Sequence, residues 1–197
     1  MAYKIPDTFP NTGAKHKNDG FWRLLIIVLF SWMLVSWWHR SCVRPKRPEA
    51  VEAYVQRFGP TAQKLHEISG VPAGLQIAVA GLETGWGSSD LSQRAHNHFG
   101  IKASRRHKRL CLQTSEFYQR RHHRVTGCFR AYAHPDESYL DFSQFLLSNP
   151  RYNDLFKIPT DDLEAWAEGL QECGYATDPH YARKIKRVMK KYRLDRL

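Results

Sequence analysis

This chain lacks most of the signatures that announce a chemistry outright. It has no glycine-rich phosphate loop and no Gly-x-Ser-x-Gly, so neither a nucleotide cradle nor a nucleophile elbow is indicated. Its four cysteines, Cys42, Cys111, Cys128 and Cys173, include no pair with zinc-finger spacing. His96 and His98, and likewise His122 and His123, lie close together, but no third ligand accompanies either pair. Neighbours such as 122 and 123 also point apart on a strand. No metal or other cofactor is therefore expected. Acidic residues are scarce: 19 Asp and Glu stand against 30 Lys and Arg in 197 residues, a net charge of +11. No nucleic-acid motif accompanies that charge, so a nucleic-acid partner is not expected either. There are no internal repeats.

The basic excess is uneven. Residues 1–47 hold eight Lys/Arg and two Asp/Glu, more than half of the net charge. The body is only mildly basic, which suits an anionic polymer, a membrane surface or simply a solvated face. Within the leader, Leu24 to Trp38 is a run of fifteen residues without a charge, extended by Phe21 and Trp22 if Arg23 snorkels. This predicts a short transmembrane anchor over 21–38, with Trp22, Trp37 and Trp38 at its interfaces. The exit Trp38-His-Arg-Ser-Cys42 offers no small-x-small cleavage site, which favours an uncleaved anchor over a signal peptide. Cations flank both ends, so charge alone does not orient it. The predicted organisation is a tail 1–20, the anchor 21–38, a basic linker 39–48 and a domain 49–197.

The domain reads as mostly helical. Val51, Tyr54, Val55, Phe58, Ala62 and Leu65 give a helical period over 49–68, with Gly59-Pro60 as a break or kink. Pro72 opens a helix to about Leu82 that is apolar nearly all round, hence central. Ser88 or Ser89 caps a short helix after it. Strand signals run from Leu112 to Tyr118 and from Val125 to Tyr132, with a polar turn Gln119–Arg124 between them. Cys111 and Cys128 flank this hairpin and form either a disulfide, if the domain is outside the cytoplasm, or two separate thiols. Further helices open at Pro135, at Asp161 or Asp162, and at Asp178-Pro179. The fold class is α+β and mostly α, with one small hairpin, preceded by a single transmembrane helix.

Glu83 ends the central apolar helix. Desolvation at such a rim raises a carboxyl pKa and makes a proton donor at neutral pH. Gly81, Gly85 and Gly87 surround it and let a ligand approach the backbone. Trp86 offers a ring that stacks on a sugar or fills the core. Asp136 and Asp141 read as helix-start and surface residues.

Five ordered blocks carry a resemblance. They are Leu82-Glu83-Thr-Gly-Trp-Gly, Asn97-His-Phe-Gly-Ile-Lys102, Cys128-Phe-Arg-Ala-Tyr132, Asn149-Pro-Arg-Tyr152 and Gly174-Tyr-Ala-Thr-Asp-Pro-His-Tyr181. Over about residues 50 to 192 the chain resembles the bacterial peptidoglycan glucosaminidases, a family related to mannosyl-glycoprotein endo-β-N-acetylglucosaminidases that includes the flagellar rod hydrolase domain. The resemblance implies a lysozyme-like fold and cleavage of β-1,4 bonds after N-acetylglucosamine in cell-wall glycan. It makes Glu83 the general acid. Glu116, in Thr114-Ser-Glu116, becomes the base that activates water or a stabiliser of the oxocarbenium-like state. Tyr175 becomes a cleft aromatic, and Asn97 and Phe99 shape the cleft floor.

The expected function is thus a single-pass enzyme of the cytoplasmic membrane. Its N-terminus would be inside and its catalytic domain on the periplasmic or extracytoplasmic side, acting on peptidoglycan strands. The partners of any envelope assembly it serves are not named by the sequence. A lytic transglycosylase and a catalytically weak wall-binding module are the alternatives.

Overall fold

The computed structural model describes residues 28–33, 47–118 and 121–197, and their side chains except those of residues 114–124. The chain divides into two units, residues 1–46 and 47–197. In the first, residues 28–33 are helical. The rest of the expected span 21–38, the tail 1–20 and residues 39–46 of the linker lie outside the described residues. No helix among the described residues is long and apolar enough to cross a membrane.

The second unit begins with α1, Glu49–Ser69, whose first turn carries Glu49 and Glu52 at the positive end of the helix dipole. Of the break or kink expected at Gly59-Pro60, the break does not occur: Pro60 sits inside one helix. Proline inside a helix costs about 3 kcal/mol. Burial of Val51, Tyr54, Val55 and Phe58 before it and Leu65 after it outweighs that, at roughly 1.5–3 kcal/mol for each large side chain. Helix α2, Ala73–Thr84, is the central element expected: Leu75, Ile77, Ala78, Val79 and Ala80 are all buried. Gln76 is buried with them, and its amide donates to the carbonyls of Ala62 and Val71. Ser89 caps α3, Asp90–Ala95, by accepting from the Ser92 N–H.

Strands β1, Arg109–Tyr118, and β2, Arg121–Arg130, form an antiparallel hairpin in which Cys111 pairs with Cys128 and Tyr118 with Arg121. The segment expected as a turn, Gln119–Arg124, is therefore strand from Arg121 onward. The unbroken register leaves no slack for a six-residue turn. Cys111 and Cys128 are joined as a disulfide, with Cα atoms 4.0 Å apart. The base of the hairpin is tied to the domain by Arg130 N–H to Ile101 O, Ala103 N–H to Cys128 O and Tyr132 N–H to Ala95 O, each 2.9 Å.

Helix α4, Pro135–Ser148, starts at its proline and ends before Asn149-Pro150 as expected. A 3-10 helix, Pro150–Lys157, follows; the sequence reading assigned it no element. Asp162 caps α5, Leu163–Glu172, through the Ala165 N–H. Helix α6, Tyr181–Tyr192, begins later than Asp178-Pro179 suggested. Asp178 instead builds a turn, its carboxylate accepting from His180 N–H and its carbonyl from Tyr181 N–H. A last 3-10 turn spans Leu194–Arg196. Helix α2 packs against α1, α5, α6 and this final turn, so its C-terminal end is fixed from several sides.

Candidate active site

Glu83 lies in the last turn of α2, and three chain segments converge on it. From α6, the Tyr181 hydroxyl donates a hydrogen bond of 2.7 Å to Glu83 Oε1. From the loop after α3, Gly100 stands beside the other oxygen: a Cβ there would lie 3.6 Å from Oε2. Gly100 has φ +65°, a conformation glycine adopts without strain. From the turn after α5, Tyr175 stacks on Tyr181 with ring centres 5.8 Å apart.

Burial pushes the Glu83 carboxyl above its usual range; the Tyr181 hydrogen bond and the charge of Lys184 act against that rise. Glu83 is crowded by protein yet keeps an open side to solvent, which tempers the desolvation without reversing its direction. Burial thus favours the neutral carboxyl more than water would, while the Tyr181 donor and the Lys184 charge favour the carboxylate.

Asn97 explains why the loop holds its shape. It is fully buried, its amide donates to Ile101 O and Arg130 O, and its oxygen accepts from the N–H groups of Phe99 and Ile101. These four bonds use its whole hydrogen-bonding capacity. It therefore bridges backbone and has none left for a ligand. Phe99 is buried, stacked on Phe142 at 4.2 Å. Its carbonyl accepts the Tyr175 hydroxyl at 2.8 Å. The Tyr175 proton is thus committed to the loop, and only its oxygen lone pairs remain.

Glu83, Asn97, Phe99 and Tyr175 are brought together. Trp86 is not. Its ring lies on Gly81, where a Cβ would come within 2.6 Å of it, and packs edge-on to Tyr54 and Tyr192. Positions 81 and 83 are about 200° apart around a helix, so the ring sits on the face of α2 away from Glu83. Position 116 is on β1 opposite His123. Its side chain lies outside the described residues, as do those of His122 and His123.

Asp141 is not the plain surface residue expected. It accepts two bonds from Arg130 Nη1, at 2.7 and 2.8 Å, and one from the Tyr132 hydroxyl, locking the end of β2 to α4. Asp136 accepts from Thr61 at the start of α4. His98 is buried with its Nδ1 on the Tyr54 hydroxyl. No group of three or more metal-ligating side chains occurs among the described residues. A groove of about 650 Å³ runs between Arg130, Asp141, Gln144, Phe145 and Asn149. Phe145 packs edge-on to Tyr175, so the groove begins one ring away from the residues around Glu83.

The sequence reading missed Tyr181 and Gly100 as parts of the site. Both fall inside the blocks that carry the resemblance, but nothing local marks a tyrosine whose partner is 98 residues away.

The chain is similar to known proteins over most of its length. The chain is similar to the peptidoglycan hydrolase FlgJ of Vibrio parahaemolyticus, 34% identical over 77% of this chain and 51% of that protein. It is also similar to the exo-glucosaminidase LytG of Bacillus subtilis, 32% identical over 73% of this chain and 52% of that one. The chain therefore spans about half the length of these relatives. A crystal structure of a peptidoglycan hydrolase mutant from Sphingomonas sp. A1 superimposes with a TM-score of 0.65 at 35% identity, covering 73% of this chain and 96% of that one. The fold is that of the lysozyme-like glycoside hydrolases, as expected. Residues 59–194 match the glucosaminidase family, described as mannosyl-glycoprotein endo-β-N-acetylglucosaminidase, and the chain belongs to that family of glycoside hydrolases.

Proposed function

We propose that the 47–197 unit hydrolyses the β-1,4 bond after N-acetylglucosamine in peptidoglycan, with Glu83 as general acid. The observation that carries the reading is the Glu83 environment: a carboxyl raised by burial, open on one side, with Tyr181 on one oxygen. The named activities of the relatives, peptidoglycan hydrolase and exo-glucosaminidase, support the substrate class.

In this mechanism protonated Glu83 gives its proton to the leaving glycosidic oxygen as the C–O bond breaks. Water adds to the anomeric carbon, assisted by Glu116 or by the substrate's acetamido group. The Tyr181 hydroxyl and the charge of Lys184 stabilise the Glu83 carboxylate until the proton lost by water restores it. The groove beside Phe145 offers room for further sugars of the strand.

We place the domain outside the cytoplasmic membrane, held by the 21–38 segment. The Cys111–Cys128 bond supports this, since disulfides persist in oxidising compartments.

Glu83→Gln keeps the shape of the side chain and removes its proton donation. It is expected to abolish release of reducing N-acetylglucosamine ends from purified cell wall while circular dichroism and Tm show an intact fold. Unchanged activity rules out the acid role. Mass spectrometry of the wild-type products separates the chemistries, because 1,6-anhydro-muramyl ends identify a transglycosylase.

A further inference from the structure

Helix α6 links the candidate site to the point where the linker enters the domain. Its first residue, Tyr181, holds Glu83. At its other end, Arg47 donates from Nε to Tyr192 O at 2.7 Å and from Nη2 to Arg193 O at 3.3 Å. Arg47 is therefore fixed to the C-terminal end of α6, about 17 Å along the helix from Tyr181.

The outer face of this helix is strongly basic. From Pro179 to Leu197 the chain has eight Lys/Arg and one acid, Asp195. Within α6, Lys184 pairs with Asp178, and Lys186 with Glu168 and Glu164. Arg183, Arg187, Lys190 and Lys191 are exposed and make no ion pair among the described residues. At 100° per residue these four fall within an arc of about 100°, opposite the buried Ile185 and Met189. The paired Lys184 and Lys186 flank the arc. A stripe of unneutralised cations thus runs along α6 to the linker.

We propose that this stripe is a docking face for an anionic lipid bilayer, on which the domain rests beside its anchor. The proposal builds on the reading of 21–38 as an anchor. Eight residues, 39–46, then separate the span from Arg47 and reach at most about 28 Å. Under that reading, a tether of this length limits how far the domain can lie from the headgroups. Exposed charges act over about 8 Å at physiological salt, so the stripe engages only when α6 lies against the surface. In that pose the site at the Tyr181 end is held at one height above the membrane.

The 47–197 unit has its own core, and the match covers 96% of the chain in one crystallised relative, so it serves as the test protein. It is sedimented with phosphatidylcholine vesicles and with vesicles containing 30% phosphatidylglycerol. Binding is expected only to the anionic vesicles and is lost at high salt. Each cation near an anionic surface strengthens binding about fivefold. The combined variant Arg183→Gln, Arg187→Gln, Lys190→Gln, Lys191→Gln is therefore expected to bind at least about a hundredfold more weakly. Its cleavage of soluble wall fragments should be unchanged. Absence of binding to anionic vesicles, or equal binding by the variant, overturns the proposal. So does a result in which the four cations govern retention on purified wall but not on vesicles. The anchor reading fails separately, if the full chain is released from membranes by alkaline carbonate.

Discussion

Tyr181→Phe tests how Glu83 is tuned. The substitution removes one hydroxyl and leaves a ring of the same shape stacked on Tyr175. The lost bond runs from the Tyr181 hydroxyl to Glu83 Oε1 at 2.7 Å, and it favours the ionised carboxylate. Hydrogen bonds to charged groups contribute about 1.5–3 kcal/mol, and the open side of Glu83 puts this one near the lower figure. At about 1.4 kcal/mol per tenfold, the proton affinity of Glu83 rises about tenfold in the variant. A general acid must be protonated, so the alkaline limb of kcat/KM on cell wall reports its pKa. That limb should move up by about one pH unit. The stability readout has its own sign. Because the folded-state pKa of Glu83 is raised, its contribution is full below the unfolded value and is lost as pH rises through the folded one. Tyr181 limits that loss by favouring the charged form. The variant should therefore be less stable than wild type at pH 8 by about 1.5 kcal/mol, with a smaller gap at pH 4. An alkaline limb that stays in place or moves down refutes the acid role or the proposed tuning.

Other substitutions probe the surroundings. Asn97→Ala strips four backbone partners of their bonds and should cost about 2–4 kcal/mol in urea denaturation, with loss of wall cleavage in the folded fraction. Gly81→Ala drives a methyl within 2.6–2.8 Å of three ring atoms of Trp86; overpacking exceeds the helix-propensity gain and Tm should fall, the net loss being about 1–2 kcal/mol. Because that ring lies away from Glu83, KM on wall should change less than twofold, and a large rise in KM would restore Trp86 as a sugar platform. His98 is held down to about 4, by burial first and then by Arg57 and His96, against 6.5 when unfolded. Its contribution is present above pH 6.5 and falls by about 3 kcal/mol as pH drops to 4, so the Tm–pH slope over that range should flatten in His98→Leu.

Much of this architecture was legible because it is encoded locally. The 3.6-residue recurrence of Val51, Tyr54, Val55, Phe58, Ala62 and Leu65 specifies a helix with one buried face, whatever it packs against. The all-round apolar run from Leu75 to Leu82 can only be central, since no orientation hides it otherwise. Glu83 stands out because it is the acid that ends this run. Ser89, Asp162 and Pro135 are boundary residues whose preferences act within a turn. Where local rules failed, longer-range terms had outweighed them. Pro60 lies inside α1 because burial on both sides exceeds its cost, and Asp178 turns the chain without capping α6.

What the sequence by itself determined was the family, the helical scaffold with its hairpin, the place of Glu83 at the end of the central helix and the cysteine pair able to close that hairpin. Tertiary structure alone decided how those parts act together. It set Tyr181 on Glu83 across 98 residues, used up every hydrogen bond of Asn97 on backbone, and turned Trp86 to the far side of α2. The reason is one of range. Propensity, capping and period are settled within a few residues, whereas a hydrogen-bond partner or a packing neighbour is chosen by whichever distant segment the core brings within about 3 to 4 Å.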